Sequence, residues 1–233
     1  MVERVETGIH GLDDMIEGGF PKTSVTLVSG GPGTGKTLFC SQFLWHGIQN
    51  GENGLFITME EQVDDILEDA AEFGWDFEEE MKKDSFHIEY INPFRVDTGF
   101  EEHVKRKIDD IGAERVVIDS TSVIGMYADS KGKIRRRLYE LINMLKKNDV
   151  TCIMTAESPR GEEDAISRYG IEEFITDSVV VLDYMGIGGG VYRNIEIPKI
   201  RKTNQAKGSF PMRISDEGMR VFQDEEEYVE SMD

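Results

Sequence analysis

The sequence predicts an α/β fold, a mostly parallel sheet flanked by helices on both faces with antiparallel strands added near the C-terminus. Three observations carry this expectation. Short β-rich apolar runs alternate with segments of helical periodicity as far as residue 155. The first of these runs ends in a Gly-rich turn that opens directly into a helix. Beyond Ile171 the alternation stops, and β-like runs follow one another across tight turns.

Residues 24–29 (SVTLVS) form the first apolar run, and a helix over 37–49 follows, its periodicity carried by Phe39, Phe43, Leu44 and Ile48. The unit repeats with a strand over 55–59 and a helix over 63–73, then a strand over 86–91 and a helix over 101–111. A fourth strand over 116–119 leads to a helix over 134–147, and a fifth strand covers 151–155. Parallel neighbours need long crossovers, and helices of this length supply them on either face. Runs over 178–183 and 192–200 are joined by a turn over 186–190 (GIGGG), with further runs over 211–214 and 219–222. These read as antiparallel strands at the sheet edge.

No Pro/Ser-rich linker and no internal repeat divides the 233 residues, so a single domain over 1–223 is expected, with a solvated acidic tail over 224–233. Lys and Arg number 26 against 46 Asp and Glu, a formal charge of −20 that opposes an electrostatic hold on nucleic acid or anionic lipid. No apolar run is long enough to span a bilayer, and Met1-Val2-Glu3-Arg4 lacks the basic and apolar regions of a secretory signal. A soluble, cytoplasmic protein without membrane attachment is the expectation. Cys40 and Cys152 lie in apolar stretches and read as small buried hydrophobes. His10, His46, His87 and His103 are scattered and form no zinc pattern.

The chemistry concentrates in Gly30-Gly31-Pro32-Gly33-Thr34-Gly35-Lys36-Thr37, followed by Leu38, which fits G-x-x-x-x-G-K-[ST] between a strand and a helix. Such a loop turns backbone N–H groups onto phosphate oxygens at a positive helix N-terminus. Lys36 then reaches the β and γ phosphates, and the Thr37 hydroxyl binds Mg²⁺. Asp119 ends an apolar strand at the edge where ligands bind in a parallel sheet, which suits a second anchor for the metal. Glu60 and Glu61 close the strand after the P-loop helix. Because successive strand residues point to opposite faces, one of them at a time is expected to face an attacking water, Glu60 first and Glu61 second. Lys199 and Arg201 share a strand face and can reach across an interface to a neighbour's γ-phosphate. On spacing alone, a solvated edge-strand face is the preferred reading of that pair.

Several motifs together carry a resemblance. Thr7-Gly8-Ile9-His10-Gly11-Leu12-Asp13, Gly18-Gly19-Phe20-Pro21, the P-loop and Thr58-Met59-Glu60-Glu61 leading into Phe73-Gly74-Trp75-Asp76 resemble the KaiC family of RecA-superfamily ATPases. Val117-Ile118-Asp119-Ser120, Gly170-Ile171-Glu172-Glu173-Phe174, Lys199-Ile200-Arg201-Lys202-Thr203 and Lys207-Gly208 extend the likeness over nearly the whole chain. It is strongest to the N-terminal ATPase half of the family's two-domain clock member. The resemblance implies a RecA-like core assembled into a ring, usually a hexamer, with ATP between subunits. It implies Glu60 and Glu61 as the catalytic pair, and Lys199 and Arg201 as groups offered in trans. The positions matching the clock member's phosphorylated hydroxyls are Glu173 and Phe174, so a phosphorylation clock is not expected; Thr176 and Ser178 are the nearest hydroxyls.

The expected function is therefore an ATP-binding, slowly hydrolysing, Mg²⁺-dependent ring that switches conformation for an unidentified regulatory protein partner. A RecA/RadA-like DNA accessory is the alternative, supported by Lys131, Lys133, Arg135, Arg136 and Arg137. Against it stand Glu157, Glu162, Glu163, Asp164, Glu172 and Glu173, opposed only by Arg160 and Arg168 in the loop after the fifth strand. A non-hydrolysing ATP-binding scaffold is the third reading. The sequence marks no residue that reads the adenine edge, and ATP over GTP rests on the resemblance.

Overall fold

The structure, a computed structural model, describes residues 2–95, 99–125, 130–159, 165–187 and 190–230. The elements in chain order are β1 (Arg4–Val5), α1 (Leu12–Met15), β2 (Phe20–Pro21), β3 (Val25–Gly30), α2 (Lys36–Gln49), β4 (Gly54–Thr58), α3 (Val63–Glu72), α4 (Phe77–Lys82) and β5 (Phe86–Tyr90). They continue with α5 (Phe100–Ile111), β6 (Arg115–Asp119), α6 (Thr121–Ile124), α7 (Lys131–Lys147), β7 (Thr151–Glu157), α8 (Glu172–Ile175), β8 (Ser178–Ile187), β9 (Gly190–Ile200), β10 (Ser209–Ser215), β11 (Gly218–Val221) and α9 (Glu225–Glu230). β1 and β2 pair with each other, and a nine-stranded sheet runs β11-β10-β9-β8-β3-β7-β6-β4-β5.

Each strand expected from the apolar runs is present, with one change of role. The run at 178–183 is expected among the antiparallel additions, but β8 pairs parallel with β3 and only its other edge is antiparallel, to β9. β8 thus belongs to the parallel part of the sheet and flanks the P-loop strand directly. The fully buried pattern of Ser178, Val179 and Val180 is that of a central strand rather than an edge.

Alternation along the strands divides the core in two. On β6, Val116 and Ile118 pack with α5 and α7, whereas Val117 joins the opposite layer; on β4, Leu55 and Ile57 take the first face and Phe56 the second. Phe100, Val104 and Ile108 of α5 and Ile134, Leu138, Leu141 and Leu145 of α7 recur at helical spacing and cover one face. Phe39, Phe43 and Leu44 of α2 and Ile66 of α3 cover the other. α4 is too short and acidic to show periodicity; Asp76 caps it by accepting from Glu79 N at 2.9 Å, and Phe77 stacks on Phe86 with centroids 4.3 Å apart.

The acidic tail is not wholly solvated, contrary to expectation. Residues Glu225–Glu230 form α9, and Tyr228 is buried with its ring edge-on to Phe222 and Tyr192, centroids 5.2 and 5.3 Å away. One aromatic among five acidic residues over 224–230 is enough to dock the helix, a signal that charge counting hides. Residues 231–233 lie outside the described residues.

Candidate functional site

The Gly-rich loop springs from the C-terminal end of β3, where Gly30 pairs with Glu157 of β7 on one side and Leu182 of β8 on the other. Gly33 and Gly35 carry φ of +76° and +104°, left-handed conformations that side chains resist, so the loop can curl tightly before α2 begins. Within the loop, Thr34 Oγ1 and Lys36 Nζ both donate to Gly31 O, at 2.9 and 3.1 Å. The N-terminus of α2 and its N–H groups therefore close one side of the cradle, with the Lys36 ammonium over it.

Thr37 stands at the centre of a carboxylate cluster. Its hydroxyl donates to Asp119 Oδ2 at 3.1 Å, and Glu61 Oε1 lies 3.4 Å from Thr37 Oγ1. Asp119 Oδ1 accepts from Thr155 Oγ1 at the end of β7, and Ser120 Oγ donates to Glu60 Oε1. Burial raises the Asp119 carboxyl above its usual range, against the pull of Thr155, Thr37 and Lys36. Glu60 and Glu61 are raised as well, by partial burial first and then by the negative charge of Asp119. Hard oxygen donors crowded this closely around one hydroxyl suit Mg²⁺, which Thr37 and Asp119 would hold. Among the described residues no group of three or more His, Cys, Asp or Glu is arranged as an all-protein metal cage.

The two glutamates take different partners, Glu60 accepting from Ser120 Oγ and Glu61 lying 3.4 Å from Thr37 Oγ1. β4 ends at Thr58, and the next residues bend away: Met59 N donates to Asp119 O at 2.7 Å and Thr58 Oγ1 to Glu61 O at 2.8 Å. Once the chain leaves extended geometry, the period of two no longer applies.

Lys199 and Arg201 stand at the other end of the sheet. Ile200 pairs with Ser178, and Ser178 with Thr26 near the start of β3, whereas the P-loop follows the end of β3. Lys199 Nζ donates to Glu173 O and Thr176 O at 2.9 and 2.6 Å, and Arg201 Nη1 reaches Asp177 Oδ1 at 3.2 Å while remaining half exposed. Desolvation and the Arg201 charge push the Lys199 ammonium down. Neither cation belongs to this chain's own phosphate cradle.

Other expectations are placed as follows. Lys131, Lys133, Arg135 and Arg136 are exposed on α7, with Arg136 Nε paired to Glu140 at 2.8 Å. Glu157 pairs with Arg168 at 2.7 Å; Arg160, Glu162, Glu163 and Asp164 lie outside the described residues. Cys40, Cys152, Thr176 and Ser178 are all buried. Three features escaped the sequence. Ser120 and Thr155 orient the carboxylates. Tyr184 Oη and Arg193 Nη2 donate to Gly33 O at 2.6 and 3.3 Å. A cleft of about 360 Å³ opens beside Thr37, walled by Leu38, Ile66, Phe73 and Ile214, with Asp69 on its rim. The serine and threonine carry a faint signal, each at or near the C-terminal end of a parallel strand; a tyrosine on a strand that neighbours β3 only in space carries none.

Comparison with known proteins agrees with this geometry. The family model for the KaiC ATPase matches residues 5–226. The circadian clock oscillator protein KaiC of Parathermosynechococcus lividus is 39% identical over 231 residues, covering 95% of this chain and 42% of its own length. That of Synechococcus elongatus is 38% identical, covering 95% and 44%. The chain thus spans less than half the length of these relatives. A crystal structure of the KaiC-like protein PH0186 from Pyrococcus horikoshii superposes with a TM-score of 0.87 at 40% identity, covering 95% of this chain and all of that one. The fold is a RecA-like P-loop fold. The chain belongs to the KaiC family of P-loop ATPases.

Proposed function

We propose that this chain binds Mg·ATP and hydrolyses it slowly in a homo-oligomeric ring, with each site completed by the next copy, and that the nucleotide state switches the ring's affinity for a regulatory protein. One observation carries the reading. Asp119 and Glu61 converge on Thr37, Glu60 is held beside them by Ser120, and Lys36 reaches back over the loop, while Lys199 and Arg201 stand at the far end of the sheet. A phosphoryl transition state spreads negative charge, and a site so rich in carboxylates needs more positive charge than this chain provides there.

In this reading Lys36 and the loop N–H groups hold the β and γ phosphates. Thr37 and Asp119 would hold Mg²⁺, which would supply charge neutralisation at the phosphates. Glu60 accepts the proton of the attacking water, its raised pKa bringing it nearer the working pH, and Ser120 fixes its orientation. Glu61, beside Thr37, holds the Thr37 hydroxyl together with Asp119. Lys199 and Arg201 of the next copy approach the γ-phosphate from outside, which explains why this chain keeps them on a rigid strand end, partly exposed. The adenine fits the apolar cleft beside Thr37, where the Asp69 carboxylate can accept from the exocyclic amine.

A nucleic-acid role has the exposed basic start of α7 in its favour, but a net charge of −20 opposes it. ATP turnover measured beside solution mass, with and without Mg·ATP, tests the proposal. It stands if ATP produces a ring that turns over, if Glu60→Gln keeps the ring without hydrolysis, and if Arg201→Ala binds nucleotide but does not hydrolyse it. A wild type that binds ATP as an inert monomer overturns the shared site and leaves a scaffold.

A further inference from the structure

We propose that Tyr184 is a positioning residue for phosphate binding: its hydroxyl latches the Gly33 carbonyl outward and so aims the Thr34 N–H into the cradle. The proposal rests on the nucleotide-binding reading above. Tyr184 Oη donates to Gly33 O at 2.6 Å, and Arg193 donates to the same oxygen from Nη2 and Nε at 3.3 and 3.4 Å. Tyr184 and Arg193 are direct cross-strand partners on β8 and β9, and the guanidinium lies over the tyrosine ring, 5.5 Å from its centroid. A cross-strand pair from a neighbouring hairpin thus closes on one carbonyl of the P-loop, 151 residues away in sequence.

The consequence follows from peptide geometry. A trans peptide is planar, with its C=O and the following N–H pointing in opposite directions. Holding the Gly33 oxygen against the hairpin therefore sends the Thr34 N–H the other way, toward the loop interior where a phosphate oxygen would sit. The Gly33–Thr34 peptide needs such a tie. Gly33 has φ +76° and no side chain, so rotation of that peptide meets little steric resistance, while the Thr34 side chain is already engaged by Gly31 O. The ring of Tyr184 is partly exposed and fills no part of the core, so its hydroxyl acts on the loop rather than on the fold.

Tyr184→Phe removes the shortest of the bonds to Gly33 O, keeps the ring under Arg193, and leaves only the longer guanidinium contacts on that oxygen. The expected result is ADP and ATP affinity weakened about three- to tenfold, the range of one lost hydrogen bond. Adenosine affinity, read by saturation-transfer NMR, and the melting temperature stay unchanged. Wild-type ADP affinity in Tyr184→Phe overturns the latch and leaves the nucleotide reading intact. An equal loss for adenosine and ADP overturns it too, since a general disturbance of the site would then be the cause. Wild-type protein that binds neither nucleotide removes the nucleotide reading and the latch with it.

Discussion

Thr37 Oγ1 and Asp119 Oδ2 lie 3.1 Å apart although 82 residues separate them in sequence. The first residue opens the helix after the P-loop, and the second closes a strand two places away in the sheet. This is the pair that would hold Mg²⁺ in the proposed function, and Asp119→Asn is expected to leave metal-free ATP binding near wild type and to cut the gain conferred by Mg²⁺ about tenfold or more. Isothermal titration of ATP with and without Mg²⁺ checks this, and an undiminished Mg²⁺ gain would place the metal elsewhere.

Glu60 gives a pH signature. Its folded-state pKa is raised, by burial first and then by Asp119, so the folded chain holds the proton more tightly than the unfolded one. Ionising it costs stability, and that cost grows as pH rises from the ordinary glutamate range through the raised folded value; below the ordinary range it is absent. Glu60→Gln should therefore melt higher than wild type at neutral pH, on the order of 2 °C, and equal to it in acid. In wild type, kcat/KM should fall on the acid side at a pH above the ordinary glutamate range. Thermal melts and a pH–rate profile read both, and a Gln variant less stable at pH 7 would show the carboxylate to be a net stabiliser.

Asp69 sets the base preference in this account. A carboxylate on the rim of the cleft accepts from the amine of adenine and repels the oxygen of guanine. Asp69→Asn should narrow the ATP-over-GTP ratio in kcat/KM about tenfold, mostly by admitting GTP. An unchanged ratio would mean that the base is read elsewhere.

Arg115 is a structural counterpart to the site cations. It is 3% exposed, donates from Nη1 to Glu6 O and Phe43 O at 2.8 Å each, pairs through Nε with Glu52, and lies over the Phe43 ring. Desolvation lowers its pKa against the pull of Glu52, yet the bonds it makes tie the N-terminal segment to α2 and β6. Arg115→Met leaves two carbonyls and a carboxylate without their donor, and a loss of about 3 kcal/mol in denaturant unfolding is expected. A loss under 1 kcal/mol would indicate that water replaces the guanidinium.

The sequence shows the sheet and the cradle because local pattern governs both. β3, the Gly-rich loop and α2 are contiguous, and the apolar run of Val116–Asp119 announces its own edge. The rest depends on distant contacts. β8 looked like an edge strand because its parallel pairing with β3 is set by the crossover from α8, not by anything within residues 178–183. The placing of Glu60 against Ser120 and Glu61 against Thr37 depends on the bend after Thr58, held by Thr58 Oγ1 on Glu61 O. Tyr184 reaches Gly33 through sheet order alone. The positions of Lys199 and Arg201 illustrate the converse: spacing favoured a solvated face, the resemblance gave them a role, and the register places them at the end of the sheet remote from this chain's own loop.

The central claim is that each site is divided between two copies, and mixing two inactive variants tests it most directly. Glu60→Gln lacks the base but offers an intact Arg201, and Arg201→Ala keeps the base but lacks the group offered outward. If sites are shared around a ring, equal random mixing rebuilds intact sites at about one quarter of the junctions, and ATP turnover should recover to about that fraction of wild type. Turnover that stays at the level of the separate variants, in rings shown to contain both, would contradict the claim.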